Sequence, residues 1–174
     1  MEILFTSRPA MPVSKLIMDV TGEPVSHTVI RNGDFVYQSS FAGVEQVRAN
    51  DFLSDYTVVY SLSPYDPSDP SDPSDAHLNE DLVERLIERV VDLRGTLYDF
   101  PGLLYLGLKY SLFNTFNLDI PKKNLWQLSG MYICTEFVED IVDIKSDSMI
   151  TPYKLYLKLK ESSKWIDTPP GVKA

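Results

Sequence analysis

The chain has 174 residues, one cysteine (Cys134) and two histidines (His27 and His77). A cysteine can attack a carbonyl carbon only as its thiolate. It therefore needs a base to take its proton, and the base needs a hydrogen bond to hold its ring. His27 has the right neighbours for that base. The stretch 26–38 reads as two strands around Asn32-Gly33, the strongest short hairpin signal, because both turn residues need positive φ. With Asn32-Gly33 as the loop, Arg31 opposes Asp34, Ile30 opposes Phe35 and His27 opposes Gln38. Directly opposed residues have Cβ atoms about 5 Å apart. An imidazole and a carboxamide are thus expected side by side, with Gln38 accepting from one ring nitrogen while the other faces Cys134. A carboxamide lacks a full negative charge, so it stabilises imidazolium less than Asp or Glu would.

Bland roles compete with these. A lone cysteine is usually a small buried hydrophobe, and a histidine on a strand is more often structural than basic. Two features favour chemistry at Cys134. It lies near the start of a predicted helix, where the dipole and free N–H groups favour a thiolate and could hold an oxyanion. It also follows a loop break at Ser129-Gly130, so its side chain could face a cleft. His77 ends an acidic linker and reads as solvated.

The elements that must position these residues follow in order. Ile3 to Phe5 is a strand. Ser14 to Val20 is a short helix, with Ser14 as cap and Gly22 as stop. The hairpin is followed by a third strand, Gly43 to Val47, after a turn at Phe41 to Gly43. Thr57 to Leu62 is a strand with both faces covered. Pro64 to Asp75 contains Pro-Ser-Asp three times and reads as an extended, solvated linker. Asn79 to Arg94 is an amphipathic helix on Leu82, Leu86 and Val90, with Asn79 as cap and Gly95 as stop. Asp99 caps a second helix, apolar nearly all round from Gly102 to Phe113, as a buried core helix would be. Asn114 to Ser129 is irregular. Cys134, Phe137, Val138 and Ile141 share a helical face. Pro152 to Lys160 closes the fold as a helix capped by Thr151, with proline at its first position.

Composition removes several classes. A net charge of −9 and a pI near 4.6 argue against a nonspecific nucleic-acid binder, which needs a basic face. They also argue against docking on anionic lipid by charge. One cysteine excludes an internal disulfide and a multi-cysteine zinc site. No metal site or cofactor is expected. No signal peptide and no membrane-spanning run are read, so a cytoplasmic monomer is expected.

Several pieces together resemble the circularly permuted branch of the NlpC/P60 papain-like cysteine peptidases and amidases. In that branch the histidine strand comes first and the cysteine helix last. Glu2-Ile3-Leu4-Phe5 resembles the opening strand, without the family's glycine and aspartate. Val25-Ser26-His27-Thr28-Val29-Ile30 resembles the strand carrying the base. Val36-Tyr37-Gln38-Ser39 with Gly43-Val44 resembles the strand of the third polar residue. Tyr98-Asp99-Phe100 resembles a segment before a helix. Tyr132-Ile133-Cys134-Thr135-Glu136-Phe137-Val138 resembles the nucleophile helix, and Thr151-Pro152 resembles the start of the family's last helix. The resemblance implies a single α+β domain over residues 1–174, a small antiparallel sheet packed against helices, with a linker insertion at about 64–77. It implies Cys134 as nucleophile, His27 as base and Gln38 as orienter, where the family often has an acid. Tyr132 and Tyr98 are substrate or oxyanion candidates. The reaction implied is cleavage of an amide, ester or thioester through an acyl-enzyme. The substrate would be a cell-wall peptide, lipid or protein; the apolar helix after Phe100 tilts the choice toward a fatty-acyl group.

Two other readings stand beside this one. The Gln38 departure suggests a catalytically silent binding domain on the same fold. The acidic linker suggests an interaction protein with a basic partner.

Overall fold

Alternation of apolar side chains along the strands builds a sheet with two unequal faces. The computed structural model describes residues 1–64, 73–116, 131–146, 150–162 and 164–169. The elements are β1 (Glu2–Ser7), α1 (Pro12–Thr21), β2 (His27–Asn32), β3 (Phe35–Ser40), β4 (Gly43–Arg48), α2 (Ala49–Asp55), β5 (Thr57–Ser63), α3 (Pro73–Asp92), α4 (Phe100–Phe116), α5 (Cys134–Ile141), α6 (Pro152–Lys160) and β6 (Ile166–Thr168). The strands form one six-stranded sheet in the order β4-β3-β2-β1-β5-β6, with every neighbouring pair antiparallel. The architecture is α+β.

Ile3, Phe5, Ile30 and Leu62 face one side, where they meet Leu86 of α3, Phe137 and Val138 of α5 and Leu155 of α6. Leu4, Val29 and Val36 face the other and pack on Ala49 and Phe52 of α2. Successive strand residues alternate faces, so adjacent pairs such as Leu4 and Phe5 belong to different cores. Burying each large apolar side chain contributes about 1.5–3 kcal/mol, so the larger face dominates stability.

The β2–β3 turn is Gly33-Asp34 rather than Asn32-Gly33. Asn32 pairs with Phe35, Arg31 with Val36 and Ile30 with Tyr37. Gly33 has φ 57° and Asp34 is not left-handed, the pattern of a II′ turn, which wants glycine first. The Asp34 carbonyl accepts from the Ala49 N–H at 2.8 Å, tying the turn to the start of α2. Moving the turn by one residue shifts every partner by two, so the faces are preserved. His27 and Gln38 therefore share a face but are diagonal rather than directly opposed.

Other elements follow the sequence closely or depart from it for local reasons. Gly22 ends α1 in the left-handed conformation at φ 71°, and Thr151 caps α6 by accepting from the Lys154 N–H at 3.2 Å. Asp99 Oδ1 caps α4 by accepting from the Gly102 N–H at 2.9 Å. Ser14 does not cap α1, whose N-cap is Met11. Asn79 lies inside α3, where its Oδ1 accepts from the Met1 amino group at 2.9 Å. Pro73-Ser74-Asp75 and His77 belong to α3 rather than to an extended linker; proline is compatible with the first turn of a helix. Of the stretch expected to be irregular, Asn114 to Phe116 belong to α4. The rest of that stretch from 117, the rest of the Pro-Ser-Asp repeat at 67–72, the side chain of His77, the Ser129-Gly130 break and the end of the tail lie outside the described residues. Two elements, α2 and the short edge strand β6, carry no sequence signal of their own. The buried Trp165 leads into β6. The expectation of a buried α4 is corrected: Tyr105 is buried, but Leu104, Leu108 and Phe113 are 67%, 43% and 50% exposed. Among the described residues no helix is long and apolar enough to cross a membrane.

Gly43 has a positional reason. Its φ is 95°, and a Cβ there would lie 2.2 Å from the Thr96 carbonyl oxygen. The β3–β4 turn is thereby pressed onto the chain that links α3 to α4.

Candidate functional site

Cys134 is the first residue of α5, and Ile133 before it is extended. The Glu136 side chain folds back, its Oε2 accepting from the Ile133 N–H at 3.1 Å, which satisfies one orphan donor of the helix start. Phe137, Val138 and Ile141 are fully buried and fix α5 on β2 and β3. The backbone N–H groups of Thr28, Thr135 and Cys134 itself act to lower the thiol pKa, yet burial outweighs them and pushes it up to about 11. The helix start acts on Cys134 in the expected direction, but desolvation of a thiolate in a site only 5% exposed is the larger effect. At neutral pH the resting group is a thiol.

The Thr28 contact places the sulfur beside β2, at the residue that follows His27. The His27 ring points to the α2 face, with its centroid 6.4 Å from Phe52 and 5.7 Å from Tyr56. Phe52 and Tyr56 stack on each other at 4.3 Å. His27 Nε2 lies 2.8 Å from Gln38 Oε1. Gln38 Nε2 donates to Glu45 Oε1 at 3.0 Å, and Ser40 Oγ donates to the same oxygen at 2.5 Å. Gln38 and Glu45 are directly opposed across β3 and β4. Burial lowers the His27 pKa, while the Gln38 hydrogen bond and the Glu45 charge act to raise it. The net shift is downward, so the imidazole is neutral at neutral pH and able to accept a proton.

His27 and Cys134 line adjoining hollows whose walls share Ile17, Ser26 and Tyr98. The Ser14 and Ser26 hydroxyls lie 2.5 Å apart, and Ser14 Oγ also accepts from the Arg8 N–H at 3.0 Å. Ser14 thus ties α1 to the entrance of β2. Tyr98 sits close to the thiol: burial raises its phenol well above the ordinary value, and the charge that Cys134 would carry adds to this. Tyr132 contributes mainly through its backbone, whose carbonyl accepts from Ser39 Oγ at 2.8 Å and from the Asp99 N–H at 3.3 Å. Its hydroxyl accepts from Arg89 at 3.5 Å, and Arg89 also donates to Asp140 at 2.7 Å. That hydroxyl is directed at an ion pair, which leaves the main chain of Tyr132 to hold β3 and the start of α5 together.

The structure brings His27 and Gln38 together on the α2 face of the sheet, sets Cys134 at the start of α5, which packs on the other face, and places Tyr98 in the wall of both hollows. Three contributors escaped the sequence reading: Glu45, Tyr56 and the Thr28 N–H. Glu45 had a usable signal, because a turn at Phe41-Ala42 pairs Ser40 with Gly43 and, by counting back, Gln38 with Glu45. Tyr56 follows the unread helix α2, and the Thr28 N–H has no side-chain signature. Among the described residues no cluster of His, Cys, Asp and Glu is arranged to hold a metal ion. No protein-family model matches the chain, and no curated protein matches it.

Proposed function

We propose that the chain is a thiol hydrolase of the permuted NlpC/P60 type on a papain-like fold, acting on an amide, ester or thioester through an acyl-enzyme. One observation carries the reading. The hollow lined by Cys134, at the start of α5, adjoins the hollow lined by His27, whose ring is held by Gln38.

In the reaction, Sγ attacks the carbonyl carbon as His27 takes the thiol proton. Because the resting pair is neutral, this transfer accompanies attack rather than preceding it. The N–H groups at the start of α5 lie where the developing oxyanion can be stabilised. Collapse breaks the bond to the leaving group, which takes the proton from imidazolium and leaves a thioester on Cys134. Water or another acceptor, deprotonated by His27, then attacks the thioester and releases the thiol. Met11, Val13, Ile17 and Phe41 around the His27 hollow favour an apolar acyl group over a polar peptide.

The test is acylation of the full chain by p-nitrophenyl octanoate and p-nitrophenyl acetate, followed by intact mass. The expected result is one acyl adduct on Cys134, faster with octanoate, and slowed by about 10²–10⁴-fold in His27→Ala. No adduct with either ester, together with a thiol indifferent to His27→Ala, overturns the proposal. That result would favour the silent binding domain, for which the specific observation is the buried thiol held near 11.

A further inference from the structure

We infer that Glu45 is a positioning residue that fixes the His27 tautomer through Gln38, so that the ring nitrogen left unprotonated is Nδ1. The inference rests on His27 being the base proposed above. A carboxamide can present either its oxygen or its NH₂ to a neighbour, and an imidazole can carry its proton on either nitrogen. Taken alone, the contact between His27 Nε2 and Gln38 fixes neither choice. Glu45 removes the ambiguity. Its carboxylate only accepts, so the group 3.0 Å from Oε1 must be the Gln38 NH₂. The Gln38 carbonyl oxygen then faces the ring at 2.8 Å and can only accept, which puts the proton on Nε2. Nδ1 keeps its lone pair. Ser40 donates to the same Glu45 oxygen and holds it in place. The arrangement also returns part of the charge that a carboxamide lacks, because the Glu45 carboxylate acts on the imidazole from behind Gln38. The direct cross-strand pairing of Gln38 with Glu45 makes the relay a property of the sheet register.

The experiment is ¹⁵N NMR of histidine-labelled full chain at pH 8, with the His27 ring assigned by its loss in His27→Asn. The wild type is expected in the Nε2–H form. Glu45→Gln keeps the shape but lets residue 45 donate as well as accept. The Gln38 amide can then reverse, and the spectrum is expected to move toward a mixture of tautomers, with a lower His27 pKa in the same titration. The double variant Gln38→Glu/Glu45→Gln puts an acceptor-only group directly on the ring and is expected to restore Nε2–H and raise the pKa. If acylation occurs, Glu45→Gln lowers its maximal rate by about 10-fold or more, with KM little changed. An unaltered Nε2–H signal in Glu45→Gln, or an Nδ1–H wild type, overturns the inference. The tautomer is read without any substrate. A tautomer change without acylation therefore sinks the hydrolase and leaves the relay standing, and acylation with no tautomer change does the reverse.

Discussion

His27 and Cys134 approach one region of the molecule from different surroundings, and the contrast is instructive. The histidine side is a polar chain on three neighbouring strands, His27–Gln38–Glu45–Ser40, each link a hydrogen bond between side chains. The cysteine side is the start of a helix sealed by apolar anchors, where backbone N–H groups rather than a side-chain base act on the thiol. Register across strands can stack polar side chains at hydrogen-bond distance and keep a base oriented before any substrate arrives. A helix start supplies backbone donors, but burying it to hold α5 in place also desolvates the thiol and raises its pKa. In the reaction proposed above, the base would thus be prepared in the resting fold, and the thiol would lose its proton only as attack begins.

Removing each side in turn tests this contrast, and the largest effects are expected at the two ends of the proposed proton path. Cys134→Ala should abolish ester acylation, leaving no mass adduct. His27→Ala should slow it by about 10²–10⁴-fold; a rate within twofold of wild type would mean the two residues do not work together. The apolar anchor comes next. Phe137 is fully buried in the larger core, and Phe137→Ala should cost about 3–5 kcal/mol in urea unfolding. A loss below about 1 kcal/mol would show that α5 is not held by that face. A capping change at α6, far from either side, should do less: Thr151→Ala is expected to cost about 1 kcal/mol.

Two pH effects separate the sides further. With the thiol held near 11, the alkylation rate of Cys134 should keep climbing beyond pH 9.5, since only the thiolate reacts, roughly tenfold per pH unit below the pKa. A plateau below pH 8.5 would show that the sulfur is not sealed as described. Glu136 folds back onto the same helix start, and burial pushes its carboxyl up to about 7 from the ordinary 4.5. Between those values the folded state holds a proton that the unfolded state has released, so this group makes stability fall as pH rises through that window. Glu136→Gln should flatten that part of the pH–stability curve, and an unchanged slope would assign it to another group.

Much of the positioning was legible residue by residue. The caps at Asp99 and Thr151, the stop at Gly22 and the buried stripe of α5 follow from local chemistry that few tertiary contacts can override. The hairpin was legible by face but not by register. Asn32-Gly33 satisfies one turn type and Gly33-Asp34 another, and the hydrogen bond from Ala49 to Asp34 that accompanies the second comes from a helix with no sequence signal. The exposure of α4 is not legible in its composition, because an apolar composition does not say which face meets a neighbour.

The sequence by itself determined which side chains could do chemistry and which strand face or helix start carries each, because strand alternation and helix periodicity are local. Only the tertiary structure decided what that chemistry can be at rest. Packing α5 against β2 brings the sulfur to the Thr28 N–H and removes it from water. The register of β3 on β4 sets Glu45 behind Gln38. The first depends on desolvation and on contacts between distant segments, which no spacing along the chain encodes; the second follows from a hairpin whose turn is local but whose side-chain hydrogen bonds form only in the folded sheet.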